Sequence, residues 1–281
     1  MKGFHIRTMT ESELDIAVAW AAAEGWNPGL NDAQNYYLAD PKGFLVGVLD
    51  GEPIACISVV RYEDSFGFLG FYIVKPEYRG LGYGWKIWQH GMAYLDGCNI
   101  ALDGVVDQQD NYQRSGFGLS HRNIRYEGVT RKRDDTTDKV VEVSSVDEDD
   151  LNHYLAAFFP AIRAEFNHAW FTQPNSVAIL YLDGNEIKGV GVIRSCHSGY
   201  KVAPLFADNA EIANELYRSL LSHVEETAPV YLDVPESNTA AVTLAHRNQM
   251  MPCFETARMY TKTSPDIQIE RTYGVTSFEI G

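Results

Sequence analysis

The sequence is short of the pairings that announce metal or disulfide chemistry. Its four cysteines, Cys56, Cys98, Cys196 and Cys253, are scattered with no CxxC, and its eight histidines include no HExxH. A metal site is therefore not expected, and buried thiols in a reducing cytoplasm are. No stretch approaches the roughly 18 apolar residues of a membrane span. The opening MKGFHIRTMTESELD carries no apolar signal core, so neither a membrane nor export is expected. Positive charge is scarce too: 23 Lys and Arg stand against 38 Asp and Glu, a net charge of −15. Nucleic acid is disfavoured as a partner, because its binding rests on neutralising phosphates. The acidity suits a cationic small molecule, and it equally serves solubility alone.

What is present is globular composition, 45% hydrophobic and 22% charged, over 281 residues, a length for roughly two domains. The chain also repeats itself. FLVGVLDGEPIACISVVR (44–61) and VAILYLDGNEIKGVGVIR (177–194) match at an offset of 133, with Leu49-Asp50-Gly51 recurring as Leu182-Asp183-Gly184. Each reads as a β-hairpin closed by an Asp-Gly turn. Helical sequence precedes both hairpins: TESELDIAVAWAAAEGW, with Thr10 and Glu13 as a capping box, and SSVDEDDLNHYLAAFF. A later helix and strand follow in both, GWKIWQHGMAYL with NIALDGVV, and AEIANELYRSLLSHV with PVYLDV. The reading is an α/β protein of two similar domains, 1–130 and 141–281, each a mixed sheet flanked by helices. The polar segment TRKRDDTTDKV (130–140) is the expected linker.

One turn stands out. VKPEYRGLGYGWK (74–86) follows the strand-like FGFLGFYIV and leads into a helix in which Trp85, Trp88, Met92 and Leu95 fall near helical spacing. Glycines at a helix start leave backbone N–H groups uncovered at the positive end of the helix dipole, and Arg79 adds a forked cation. A diphosphate is the natural guest; a tight turn alone is the plainer alternative. A P-loop is excluded because no Lys-Ser or Lys-Thr follows, and GxGxxG because Trp85, Lys86 and Ile87 follow Gly84.

Val74-x-Pro76-x-x-Arg79-Gly80-x-Gly82-x-Gly84 resembles the acyl-CoA loop of the GNAT superfamily of N-acetyltransferases. NYQRSGF resembles the same family's Y-x-x-x-G-F, in the family's order and about thirty residues on. The resemblance implies that Arg79, Gly80, Leu81, Gly82, Tyr83 and Gly84 hold the pyrophosphate of acetyl-CoA. It also implies that Tyr72 and Val74 lie on a splayed strand beside the pantetheine arm. Tyr112 would be the general acid, with amphipathic packing as its alternative role. The family's glutamate on that strand is replaced by Gly70. Glu24, in EGWNPG, is then a candidate for the acceptor site and for the base, with Trp26 beside it; Asp103 is a weaker candidate for the base, and would need a partner if buried. Trp26, Tyr36 and Tyr37 are candidate lining residues, and core packing accounts for them equally.

The second copy lacks this chemistry. Aligning Val202-x-Pro204 with Val74-x-Pro76 sets Ala207 against Arg79 and Asp208 against Gly80, and at the separate offset of 133 Tyr112 meets Ala245. NTAAVTL (238–244) keeps the family's N-x-x-A-x-x-L pattern. The resemblance thus implies a tandem GNAT protein with a degenerate second domain, which either closes the acceptor pocket or forms a homodimer. The expected function is transfer of an acetyl group to the primary amine of a small molecule. A non-catalytic acyl-CoA sensor is the competing expectation, kept open by Gly70.

Overall fold

The computed structural model describes residues 3–131 and 137–281, so the middle of the polar linker (132–136) lies outside the described residues. The first half runs β1 (His5–Thr8), α1 (Leu14–Ala23), α2 (Asp32–Ala39), β2 (Phe44–Leu49), β3 (Glu52–Tyr62), β4 (Phe66–Val74), α3 (Tyr83–Tyr94), β5 (Asn99–Val105), α4 (Gln109–Arg114) and β6 (Gly118–Val129). The second repeats that order: β7 (Val140–Glu142), α5 (Glu148–Leu155), α6 (Ala164–Thr172), β8 (Ser176–Asp183), β9 (Glu186–Ser195), β10 (Tyr200–Ala207), α7 (Ala210–Ser222), β11 (Pro229–Pro235), α8 (Thr239–Arg247) and β12 (Met251–Tyr260). A short β13 (Thr272–Gly274) follows and pairs with β10.

Both hairpins form. In the first, Leu49 faces Glu52 across Asp50 and Gly51, whose φ values of 51° and 96° suit a two-residue turn. In the second, Asp183 is still paired, with Glu186, so the turn moves one residue on, to Gly184 and Asn185. At the first helix, the Glu13 carboxylate accepts the Thr10 backbone N–H at 2.9 Å.

The two halves share one sheet by exchanging strands. Its order is β1-β2-β3-β4-β5-β12-β6-β11-β10-β9-β8-β7. Thus β12, from the second half, sits antiparallel between β5 and β6 of the first, and β6 in turn completes the second half against β11. Each exchanged strand brings an arginine opposite an aspartate. Arg258 of β12 faces Asp103 of β5 with hydrogen bonds of 2.9 and 2.6 Å, and Arg125 of β6 faces Asp233 of β11 with bonds of 2.6 and 2.8 Å. A buried ion pair contributes little net stability but punishes mispairing, since a shifted register would strand an unpaired charge. One apolar core spans both halves, with Tyr36, Phe71, Trp170 and Phe206 among its members.

Candidate active site

The site begins with a defect in the sheet. Gly70 pairs with Ser58 and Ile73 with Cys56, so Phe71 and Tyr72 bulge opposite the single residue Ile57, and Phe71 takes a φ of 42°. The parallel β4–β5 ladder ends at Leu69 and Leu102. From Gly70 to Val74, β4 has no strand partner on that side among the described residues. A cavity of about 630 Å³ lies in this opening.

At one rim is the glycine turn. Gly80 and Gly82 have φ of 77° and 85°, a region that glycine enters without strain. Gly82 caps α3 without any side-chain hydrogen bond, leaving the first-turn N–H groups and the positive helix end uncovered. A Cβ on Gly84 would stand 2.8 Å from the Tyr72 hydroxyl and 3.2 Å from Val74, so glycine there lets α3 close onto β4. Arg79 Nε donates to the Val74 carbonyl at 2.8 Å, and Nη2 donates to the Glu24 carboxylate. Main-chain amides, a helix dipole and a guanidinium therefore converge as an anion cradle.

Further in lies Tyr112. Its ring stacks on Trp88 at 5.7 Å, and a Cβ on Gly104 would come within 2.2 Å of it, so that glycine makes room for the ring. The hydroxyl has no hydrogen-bond partner among the described residues. Burial, and then Tyr72 beside it, raise its pKa above the ordinary phenol range, so it holds its proton.

Of the residues singled out above as site candidates, all but Leu81, Tyr83, Tyr36 and Tyr37 line this one cavity. The Leu81 side chain is 63% exposed, and the Tyr83 ring packs on Phe4 at 4.8 Å. Trp85, placed on the helix face by its spacing, is also exposed, while Trp88 is buried. Tyr36 and Tyr37 pack in the core and do not line the cavity. Neither carboxylate considered as a base is free: Glu24 is held by Arg79, and Asp103 by Arg258 and by Asn123 at 2.8 Å.

The far wall comes from the second half, through Phe254 and Thr256 of β12 and through Phe278 and Glu279. Segment 275–281 crosses onto the first half. Ser58 Oγ donates to the Glu279 carbonyl at 2.9 Å and Tyr62 Oη to the Ile280 carbonyl at 2.8 Å, while Arg163 of the second half donates to the Gly281 carbonyl at 2.6 Å. A Cβ on Gly70 would fall 2.2 Å from the Glu279 carbonyl oxygen. The Glu279 side chain accepts from Ser277 Oγ at 2.7 Å and from Tyr36 Oη at 3.0 Å. Sequence reasoning missed Glu279; its trace is a glycine in the middle of the bulky strand FGFLGFYIV.

The loop after α1 is gripped from the exchanged strand β6 and from the second half. Arg125 Nη1 donates to the Trp26 carbonyl at 2.6 Å and Lys201 Nζ to the Asn27 carbonyl at 3.1 Å. Arg194 binds Asp32 at the loop's far end. Where the second half would have its own cradle, β10 runs on to Ala207 and α7 begins at Ala210. Val202 and Pro204 are therefore mid-strand and do not correspond to the residues before the glycine turn. The α7 terminus is capped by its own Asn209 side chain, which accepts the Ile212 N–H at 3.0 Å.

Both halves match family models: residues 8–117 the "Acetyltransferase (GNAT) family", and residues 153–274 an "Acetyltransferase (GNAT) domain". The chain is 28% identical over 269 residues to the holothin acyltransferase of Pseudoalteromonas sp. (strain SANK 73390), covering 96% of this chain and 92% of that protein. Its fold is similar to a putative acetyltransferase from Pyrococcus horikoshii, with a TM-score of 0.84, 19% identity, and 100% and 97% of the two chains covered. It is similar too to a tandem GNAT protein from the clavulanic acid biosynthesis pathway, with a TM-score of 0.63, 11% identity, and 93% and 100% covered.

Proposed function

The chain belongs to the GNAT acetyltransferase superfamily through both of its halves, and on that footing we propose that it is an acetyl-CoA-dependent N-acetyltransferase acting on the primary amine of a small molecule. The observation that carries the reading is that an anion cradle, an unpaired strand edge and a protonated Tyr112 share one cavity. Acetyl-CoA supplies a thioester. Arg79 and the amides of the glycine turn hold its diphosphate, with Glu24 releasing Arg79 to do so. The open edge of β4 pairs with the extended arm, and a main-chain N–H there takes the developing oxyanion. Tyr112 gives its proton to the departing sulfur.

The small-molecule acceptor is supported by a cavity of about 630 Å³ whose lining includes the aromatic residues Trp26, Phe254 and Phe278. A sensor was favoured by the missing side chain at position 70, and the carboxylate of Glu279 nearby answers that observation. Cytoplasmic location belongs to the same proposal, supported by four unpaired cysteines, three of them buried. No helix of the described residues is long and apolar enough to cross a membrane. Calorimetry with coenzyme A, followed by thiol release from acetyl-CoA across a panel of amines, tests the reading. Binding with amine-dependent release is expected; indifference to coenzyme A, or binding without turnover on any amine, overturns it.

A further inference from the structure

Acetylation of an alkyl ammonium requires its proton to leave before nitrogen can attack, and three acidic residues, Glu24, Asp103 and Glu279, are among those lining the cavity. Glu24 is bound to the Arg79 guanidinium, and Asp103 to Arg258. Each of these two carboxylates is already occupied by a guanidinium and is not free to receive an ammonium. Glu279 differs. Its partners are two neutral hydroxyls, that of Ser277 and that of Tyr36, whose one proton lies between Glu279 Oε2 at 3.0 Å and Asp32 Oδ2 at 3.2 Å, and both fall on Oε2. Its other oxygen, Oε1, takes no hydrogen bond from any described residue.

Resting on the acetyltransferase reading, we propose that Glu279, delivered by segment 275–281 of the second half, is the base that takes the proton from the acceptor amine. Its placement is built rather than incidental. Gly70 leaves the space through which the Glu279 main chain passes, Ser58 pins that main chain, and Tyr36 with Ser277 fixes the carboxylate. The charged groups around it are Arg125, whose guanidinium is occupied by Asp233 and the Trp26 carbonyl, and Asp32, reached through Tyr36 and bound to Arg194. Trp26, Phe254 and Phe278 give this end of the cavity aromatic walls, suited to the apolar body of an amine.

The proton balance closes. The ammonium loses one proton to Glu279, which passes it to solvent. Nitrogen then bonds to the thioester carbon and the carbon–sulfur bond breaks. The second proton leaves nitrogen as the intermediate collapses, and sulfur departs as a thiol with the proton from Tyr112, which is reprotonated in turn. The products are an amide, the free thiol and one H⁺.

The test uses the full chain and its Glu279→Gln variant, with acetyl-CoA, an amine panel and pH 6–9. Expected is a loss of kcat of about 10²-fold or more near neutrality, with coenzyme A affinity and thermal midpoint held. The variant's rate should climb about tenfold per pH unit as solution supplies free amine, while the wild-type rate levels off. In the wild type, the pH dependence of kcat/KM should not follow the pKa of the amine offered. Equal kcat and pH profiles in the two proteins would overturn the role of Glu279 and leave the acetyltransferase reading standing. A wild-type pH dependence that tracks each amine's own pKa would do the same, and needs no variant to fold. A wild type that binds coenzyme A but acetylates no amine would instead overturn both.

Discussion

Arg194 donates to both carboxylate oxygens of Asp32, at 2.8 and 3.1 Å, with each side chain no more than 2% exposed. The pair joins β9 of the second half to the start of α2 in the first, at the end of the loop that carries Glu24 and Trp26. Replacing Arg194 with methionine would strand a buried carboxylate, at a cost of about 3–5 kcal/mol. Urea denaturation should show that loss, and the acceptor KM should rise more than the acetyl-CoA KM.

Asp32 and Asp233 give the protein an acid limit. Burial pushes the Asp32 carboxyl up, but Arg194 and then Lys201 outweigh it, and for Asp233 burial is outweighed by Arg125 and Lys201. Both pKa values are lowered below the unfolded value of about 3.9. A carboxyl depressed in the folded state stabilises fully above its unfolded pKa, and that contribution is lost as pH falls through the folded one. Stability from these groups should therefore be flat from pH 7 to about 5 and fall below about pH 4. The stability gap between wild type and Asp32→Asn, measured by denaturation, should narrow over that same acid range.

The cradle can be tested at Gly82, whose φ of 85° a β-branched residue resists and whose neighbouring amides a side chain would cover. Gly82→Val should weaken coenzyme A binding at least about tenfold, or about 1.4 kcal/mol, by calorimetry. Binding as tight as wild type would remove the turn from diphosphate recognition.

Tyr112→Phe keeps the stack on Trp88 and removes only the hydroxyl. Turnover should fall about 10²-fold with coenzyme A affinity unchanged. An undiminished kcat would leave Tyr112 as a packing residue.

Gly70 offers the most counter-intuitive substitution. A glutamate there would not supply a base, because its Cβ would run into the main chain of Glu279. Gly70→Glu, and even Gly70→Ala, should displace segment 275–281, lowering both the thermal midpoint and turnover.

Much of this was legible in the sequence because it is local. The Asp50-Gly51 turn, the glycines around Arg79 and the Thr10–Glu13 capping box each act within a few residues, so spacing identifies them. The repeat exposed two α/β units for the same reason, since each copy needs its own hairpin and helices. What escaped is long-range. Nothing near Asp103 announces that Arg258 will neutralise it, and no pattern ties Gly70 to Glu279. The misplaced alignment at Val202 has a related cause: a strand can run through Pro204 when its partners leave that position free of a ladder bond, and motif matching ignores partners.

The reciprocal exchange of β6 and β12 has a consequence for how this chain comes into being. When the ribosome has released only the first half, β5 has a bare edge where β12 belongs, and residues some 150 positions away must arrive before the sheet closes. Until then two raw edges invite adhesion to other nascent chains. Evolution is bound by the same knot: the second copy cannot be shed, because deleting it would pull a rib out of the first.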